Sequence, residues 1–266
     1  MDRAVAPPQL EPLGFGELLD AGFRLWRRNF GKFSLIALIA TAPIAIVQFF
    51  FLRSQIQLIE AGQVLVDDPD AFNRTAGLIT LASLVSAAVS FGAMYAMATR
   101  RYVGQQLTAG NALKDGLKRF FPFLITWLIY LLAVGLGLVA LVIPGLFLGV
   151  SLFLAFPAFW AERAGPFRSL RRSWALVKGR RWVLLGVIVL GFLLLSLLSF
   201  LATGPAVLAG DNVALFAALN GLVVPIYSAV LTPILPVMGT VSYYDARVRK
   251  EGFDIELASR GLIPQV

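Results

Sequence analysis

The sequence predicts an all-α, polytopic membrane protein with six transmembrane helices and amphipathic helices along one side. Three observations predict it. Apolar residues make up 58% of 266 positions and charged ones only 14%, with a mean hydropathy of +0.79. A soluble domain of this length carries about 25% charge. The apolar residues fall in runs long enough to cross a bilayer, which takes about 20 residues. The net charge is +8, and the bases gather at the ends of those runs rather than along a groove or face. That distribution reads as a topology signal and argues against nucleic acid as the partner.

The densest basic stretch, Arg163 to Arg181, holds seven of the 23 Lys and Arg residues and no acid. Gly165 suits a helix N-cap, Pro166 the first helical position and Gly179 the C-terminal stop. Phe167, Leu170, Trp174 and Val177 recur at three- and four-residue steps as one apolar face. Arg168 and Arg172 lie opposite, with Arg171 at the edge. Such a basic, aromatic-edged helix fits flat in a membrane interface, as a belt between two membrane halves.

In chain order, residues 1–13 read as a loose cytoplasmic tail. Met1 to Pro12 lacks an apolar signal region, so the first span is expected to direct insertion. Gly14 to Asn29 is a first belt, with Glu17 and Asp20 early and Arg24, Arg27 and Arg28 late, an order that suits the helix dipole. A first span covers about 33–51, with Pro43 inside it. A polar loop over 53–74 leads to a second span at about 78–98. Its Ser83, Ala87, Ser90 and Ala93 form a small-residue seam suited to close helix packing, or alternatively a polar path. Asn111 reads as the cap of a second belt ending in Phe121. The apolar stretch 121–160 is too long for one crossing and divides at Pro144–Gly145. Ala133, Gly137 and Ala140 mark another packing seam. The fifth span is about 182–201. The sixth, about 213–241, is overlong and holds Pro225, Pro233 and Pro236, so it must tilt, kink or break. The domain reading is a single membrane unit over 14–251, followed by a C-terminal cytoplasmic tail at 252–266.

With six spans and both ends inside, every Lys and Arg except Arg53 and Arg74 falls on the cytoplasmic side. A belt, a basic cluster and an apolar pair recur three times, at LWRRNF, LKRFF and VKGRRW. The recurrence reflects either duplication or a shared topological need.

The stretches FGELLDAGFRLWRRNF (Phe15 to Phe30), SLRRSWALVKGRRW (Ser169 to Trp182) and YYDARVRKEGFDIEL (Tyr243 to Leu257) resemble the membrane-domain family of glycerophosphoryl diester phosphodiesterases. The resemblance covers nearly the whole chain. The last stretch is its most specific part, although Ala246 and Ile255 stand where leucine is commoner. The family contains many standalone bacterial membrane proteins of unknown activity. It takes its name from fusions to a catalytic barrel, for which this chain has no room. The resemblance implies a helical fold in a bacterial inner membrane and implies no catalytic residue.

The residues themselves point the same way. The chain has no Cys and no His, which excludes disulfides, His-ligated haem and ordinary zinc sites. No charge falls inside the expected spans, where it would point to function. Glu162 and Arg163, at the inner end of the fourth span, read as a solvated pair rather than a gate. Gln48, Tyr130, Asn220 and Tyr227 are the uncharged polar groups at depth. Asn220 is best used on carbonyls freed by Pro225. Asp67, Asp68 and Asp70 suit a turn around Pro69 better than a cation site. No cofactor and no enzymatic activity are expected. The leading expectation is a non-enzymatic module for partner assembly or lipid organisation; the alternative is a transporter or permease-like subunit.

Two groups carry specific expectations. Arg168, Arg171, Arg172 and Lys178 are placed to grip anionic headgroups at the inner leaflet, unless they serve only as topology signals. In the tail, Asp245 with Arg249 and Arg247 with Glu251 form i,i+4 pairs. They are either surface pairs or, with Tyr243, Tyr244 and Phe253 as apolar anchors, a lock docking the tail on the central belt. The cysteine-free chain makes the topology testable with single cysteines at 67, 115, 211 and 251. An impermeant thiol reagent on intact cells should label 67 and 211 only. Labelling at 251 would mean that the sixth segment re-enters.

Overall fold

The computed structural model describes residues 11–60, 69–207, 215, 226–227, 229–253 and 255, all helix, turn or short coil with no strand among them. Ten helices organise these residues: α1 (Phe15–Arg28), α2 (Phe30–Glu60), α3 (Pro69–Tyr102), α4 (Ala109–Lys118), α5 (Phe120–Ala140), α6 (Val142–Leu152), α7 (Ala155–Ala161), α8 (Pro166–Val177), α9 (Arg181–Val207) and α10 (Ile234–Glu251). Among the described residues, four segments are long and apolar enough to cross a membrane: Phe30–Phe51, Asp70–Tyr102, Phe120–Ala140 and Val142–Ala161. The pair α8 and α9, bent by 111° at its break, makes up to a fifth. The chain is thus helical and membrane-embedded. Within the expected sixth span, residues 213–214, 216–225 and 228, Asn220 and Pro225 among them, lie outside the described residues.

Three times a short amphipathic helix runs through a brief break into a long apolar one. Each short helix starts from an extended residue: Gly14 (φ −67°, ψ 173°), Thr108 (φ −83°, ψ 155°) and Gly165 (φ −82°, ψ 172°). The breaks after α1 and α4 share one backbone conformation, at Asn29 (φ −119°, ψ 16°) and Arg119 (φ −109°, ψ 19°). The third break is wider and turns at Gly179, whose φ of 91° is open to glycine and costly for other residues. Pro166 opens α8 and Gly165 caps it, as the sequence predicts.

Several boundaries differ from the sequence reading. The described residues of the polar stretch 53–74 are helical: α2 continues to Glu60 and α3 begins at Pro69. Extending a helix already formed costs little, and Pro69 at the first position with Asp70 behind it makes a good start. The cap of α4 is Thr108 rather than Asn111; its hydroxyl accepts the Asn111 N–H at 3.3 Å. The hairpin between α5 and α6 turns at Leu141 (φ −167°, ψ 152°), three residues before Pro144. Proline fits in a first turn because the N–H it lacks has no intrahelical acceptor there. The fourth expected span is also broken, at Phe153–Leu154 between α6 and α7. The expected break in the sixth segment is seen as a turn at Thr232–Pro233 ahead of α10.

The packing is graded along the helices. Core residues lie near the basic ends: Phe33, Ile36 and Ala37 of α2, Ala93 to Ala98 of α3, Phe123 of α5, and Leu184 and Val187 of α9. Between them sit α7, buried from Ala155 to Trp160, and α10, buried from Val237 to Ala246. Toward the other ends, apolar side chains face outward, among them Phe50, Leu78, Leu136, Val139 and Phe192. In water this would be a liability; against acyl chains it costs nothing.

Small residues set the close approaches. The expected Ala133–Gly137–Ala140 seam is centred on Gly137, where an added Cβ would stand 2.8 Å from Gly145 Cα across the hairpin. Ser86 of α3 donates to the Ala40 carbonyl, so this face of the helix packs. Gln48 and Tyr130, at depth, donate to Ser83 Oγ (3.1 Å) and the Gly149 carbonyl (3.4 Å). Gly137→Ala should lower the midpoint of thermal unfolding in detergent, by about 1–3 kcal/mol of overpacking. Gly135→Ala, with nothing within 4 Å of its added carbon, should leave the midpoint unchanged or raise it. Equal behaviour of the two variants would remove the hairpin contact as a packing determinant.

Candidate functional site: a charged junction at the basic end

The sites worth building are where the basic helix ends meet. Three come together from α7, α8 and α10. Glu162 caps α7, following an apolar run that drives that helix into the core. Arg172 sits one turn before the end of α8. Its Nε donates to Glu162 Oε1 at 2.5 Å, and its terminal nitrogens reach the Glu251 carboxylate. Arg247 donates to Glu251 Oε2 at 2.9 Å and lies 3.9 Å above the Phe253 ring. Tyr243 completes the cluster by donating its hydroxyl to Glu162 Oε1 at 2.8 Å. Burial first, and the Glu162 charge second, raise the Tyr243 pKa far above its ordinary value, so the hydroxyl stays a donor.

A second cluster ties the N-terminal segment to the same end. Asp245 is 3% exposed, yet its carboxylate takes three donors: the Leu13 N–H at 2.8 Å, Arg249 Nε at 3.0 Å and Arg180. The Leu13 carbonyl in turn accepts from Arg249 at 2.7 Å and Arg180 at 3.3 Å. Burial lowers the Arg180 pKa, and the Asp245 charge opposes that shift. Next to it, Lys250 donates to the Ala175 carbonyl of α8 at 2.6 Å. The residues at 13 and 251 therefore lie at one end of the molecule.

Tyr244, Asp245, Arg247, Arg249 and Glu251 are all engaged, and α10 is docked on α8 through Arg172–Glu251 and Lys250. Tyr244 faces elsewhere: it stacks on Tyr102 at 4.8 Å and donates to the Thr99 carbonyl at 3.1 Å. Of the four bases assigned to headgroups, Arg168, Arg171 and Lys178 are exposed. Arg172 is instead held by two carboxylates and belongs to the junction. The apolar face of α8 is also rotated from expectation. Its buried stripe is Ser169, Leu170, Ser173, Leu176 and Val177, where the two serines permit close packing. Phe167 stands outward at 76% exposure. Trp174 lies on the flank, edge-on to Phe147 at 5.6 Å, with the Arg181 guanidinium 4.6 Å from the Phe147 ring.

Sequence reasoning read Glu162 as a solvated neighbour of Arg163 and gave Arg180 and Leu13 no pairing. A signal existed for Glu162: it is the only acid between Asp115 and Asp211, amid a surplus of bases. Leu13 acts through its backbone and left no such signal. Among the described residues, no three carboxylates gather as metal ligands. Chemically, both clusters hold charge and join helices; each carboxylate is committed to cations. Comparison with protein-family models, curated proteins and solved structures gave no match.

The Glu251 carboxyl is pushed up by burial, but the hydrogen bonds from Arg172 and Arg247 outweigh this and hold it below its ordinary value. Its folded pKa is therefore lower than its unfolded one, about 4.3. The stabilisation it supplies is complete above that pH and is lost as pH falls through the folded value. Glu251→Gln should lower the thermal midpoint at pH 7 and flatten its decline between about pH 5 and 3. An unchanged midpoint at pH 7 would mean that the junction contributes nothing to stability.

Proposed function

We propose that this chain is a non-enzymatic membrane module of a bacterial inner membrane, with both termini cytoplasmic, that holds anionic lipid along its basic end. The observation that carries this reading is the divided use of the α8 bases. Arg172 is consumed by the junction, which fixes α8 across the bundle at 111° to α9. Arg168, Arg171 and Lys178 are left exposed, beside the outward aromatics Phe167 and Trp182. Exposed bases beside exposed aromatic rings are the composition of a headgroup-level surface. The convergence of Leu13 and Glu251 at one end supports an even number of crossings, and the basic character of that end supports its cytoplasmic side. The resemblance to the standalone membrane-domain family adds the bacterial inner membrane. The exposed apolar faces leave room for a protein partner in the bilayer.

Each base near an anionic surface is worth about 1 kcal/mol, screened by salt, so three together hold lipid by a few kcal/mol. Arg168→Gln/Arg171→Gln/Lys178→Gln should therefore fold and insert normally, with Arg163, Arg180 and Arg181 retained as topology signals. Its co-purified phosphatidylglycerol, read by native mass spectrometry, should fall several-fold relative to the parent. The same lipid complement in both would reduce these bases to topology signals alone.

A further inference from the structure

A cleft of about 660 Å³ lies between α1, the start of α2 and the turn after α3. Its volume falls in the range of small-molecule sites. It belongs to neither charged cluster of the junction, although Leu13 borders both. Its α1 wall is one helical stripe with a polarity. Glu17 and Asp20 come first and Arg28 follows two to three turns later; Lys32 continues the stripe on α2. At 1.5 Å per residue, Glu17 and Arg28 are about 16 Å apart along the axis. The acids at the early end are partly committed: Glu17 accepts the Gly14 N–H at 2.6 Å, and Asp20 pairs with Arg24 at 3.3 Å.

The cationic end is different. Arg28 and Lys32 are exposed, and their side chains have no hydrogen-bond or ion-pair partner among the described residues. Arg101, across the cleft from the end of α3, spends its terminal nitrogens on Gln106 and on the Leu107 carbonyl at 2.8 Å. Its Nε is buried with no acceptor. That nitrogen is sealed from solvent, so Arg101 acts on the cleft through its charge rather than through this donor. Arg28, Lys32 and Arg101 thus border one cavity from three chain segments, and their summed field there favours an anion.

We propose that the Arg28, Lys32 and Arg101 end of this cleft binds a phosphate group, carried either by a lipid headgroup or by a soluble phosphate ester, with the Glu17 and Asp20 end open to an attached amine or hydroxyl. Arginine and lysine from separate elements suit a phosphate because its several oxygens accept from several directions. The site shares no residue with the exposed bases of α8, so either reading can fail alone.

The full chain in detergent would be titrated with glycerol 3-phosphate by calorimetry. In parallel, it would be placed in nanodiscs of phosphatidylcholine with increasing phosphatidylglycerol, and retained lipid counted by native mass spectrometry. Saturable binding of glycerol 3-phosphate identifies a soluble ester as the source; retention of about one phosphatidylglycerol without it identifies a lipid. In either case Arg28→Gln/Lys32→Gln should weaken that binding roughly tenfold or more, the loss of charge-assisted hydrogen bonds. These residues are exposed and unpartnered, so the variant should keep the parent's thermal midpoint. Arg101→Gln should weaken binding too, and the triple α8 variant should leave this site's affinity for glycerol 3-phosphate, or its one tightly retained lipid, as in the parent. Binding of neither ligand, or binding by the double variant equal to that of the parent, overturns the proposal.

Discussion

Asp245 is nearly sealed from solvent and must not be left without cations. A buried carboxylate stripped of its partners costs several kcal/mol. Arg180, at the break between α8 and α9, and Arg249, one turn along α10, answer that requirement, and the Leu13 N–H shares Oδ1 with Arg249. Because these donors come from widely separated parts of the chain, satisfying one carboxylate fixes three segments together. Arg172 applies the same constraint in reverse, as a cation between Glu162 and Glu251. Around these two points α1, α7, α8 and α10 have little freedom. The third break can therefore hold a wide bend at Gly179 while α8 stays seated on its serine-lined face.

This explains why the packing is graded. In a bilayer, burying leucine against leucine gains little over burying it against lipid. Helices are held together where something better is on offer. At the basic end it is charge pairing, aromatic stacking such as Tyr102 on Tyr244, and hydrogen bonds such as Arg119 to the Ala164 carbonyl at 2.9 Å. Further into the apolar zone it is close backbone approach, possible only at residues such as Gly137 and Gly145. Where neither is present, as at Leu136 and Val139, the side chains face outward.

Local features were legible in the sequence. The helix class, the belts, the caps at Gly165 and Thr108's near neighbourhood, the stop at Gly179 and the tail pairs all depend on residues within about four positions of each other. Boundaries were less so. Pro144 looks like a breaker, but a proline in a first turn obeys the same chemistry as one that ends a helix, and only the backbone decides which. The long-range pairings were illegible for a different reason. Arg172 and Arg168 are the same residue type on one helix, four positions apart, and both look like outward bases in a helical projection. What separates them is the arrival of Glu162 and Glu251 from other helices, which no local pattern encodes. The rotation of α8 has the same origin: the close packing with α6 and α7 selected the small Ser169 and Ser173 over the larger Phe167.

The bases at this end therefore fall into two kinds. Arg119, Arg172, Arg180 and Arg247 lie partly buried and are spent on carbonyls, carboxylates and rings within the protein. Arg28, Lys32, Arg168, Arg171 and Lys178 are exposed, with no side-chain ion pair or hydrogen bond among the described residues. A topology signal during insertion requires only that the charge be on the correct side, and both kinds meet that requirement equally. Such a signal also accounts for Arg27, Lys114, Lys118 and Arg163, exposed in the same way, but gives no reason for Arg28 and Lys32 to share one cleft with Arg101. A ligand does give a reason, because an anion is bound by several cations at once and by none singly. The distribution of the unspent charge, more than its amount, is what points from the fold toward lipid or phosphate.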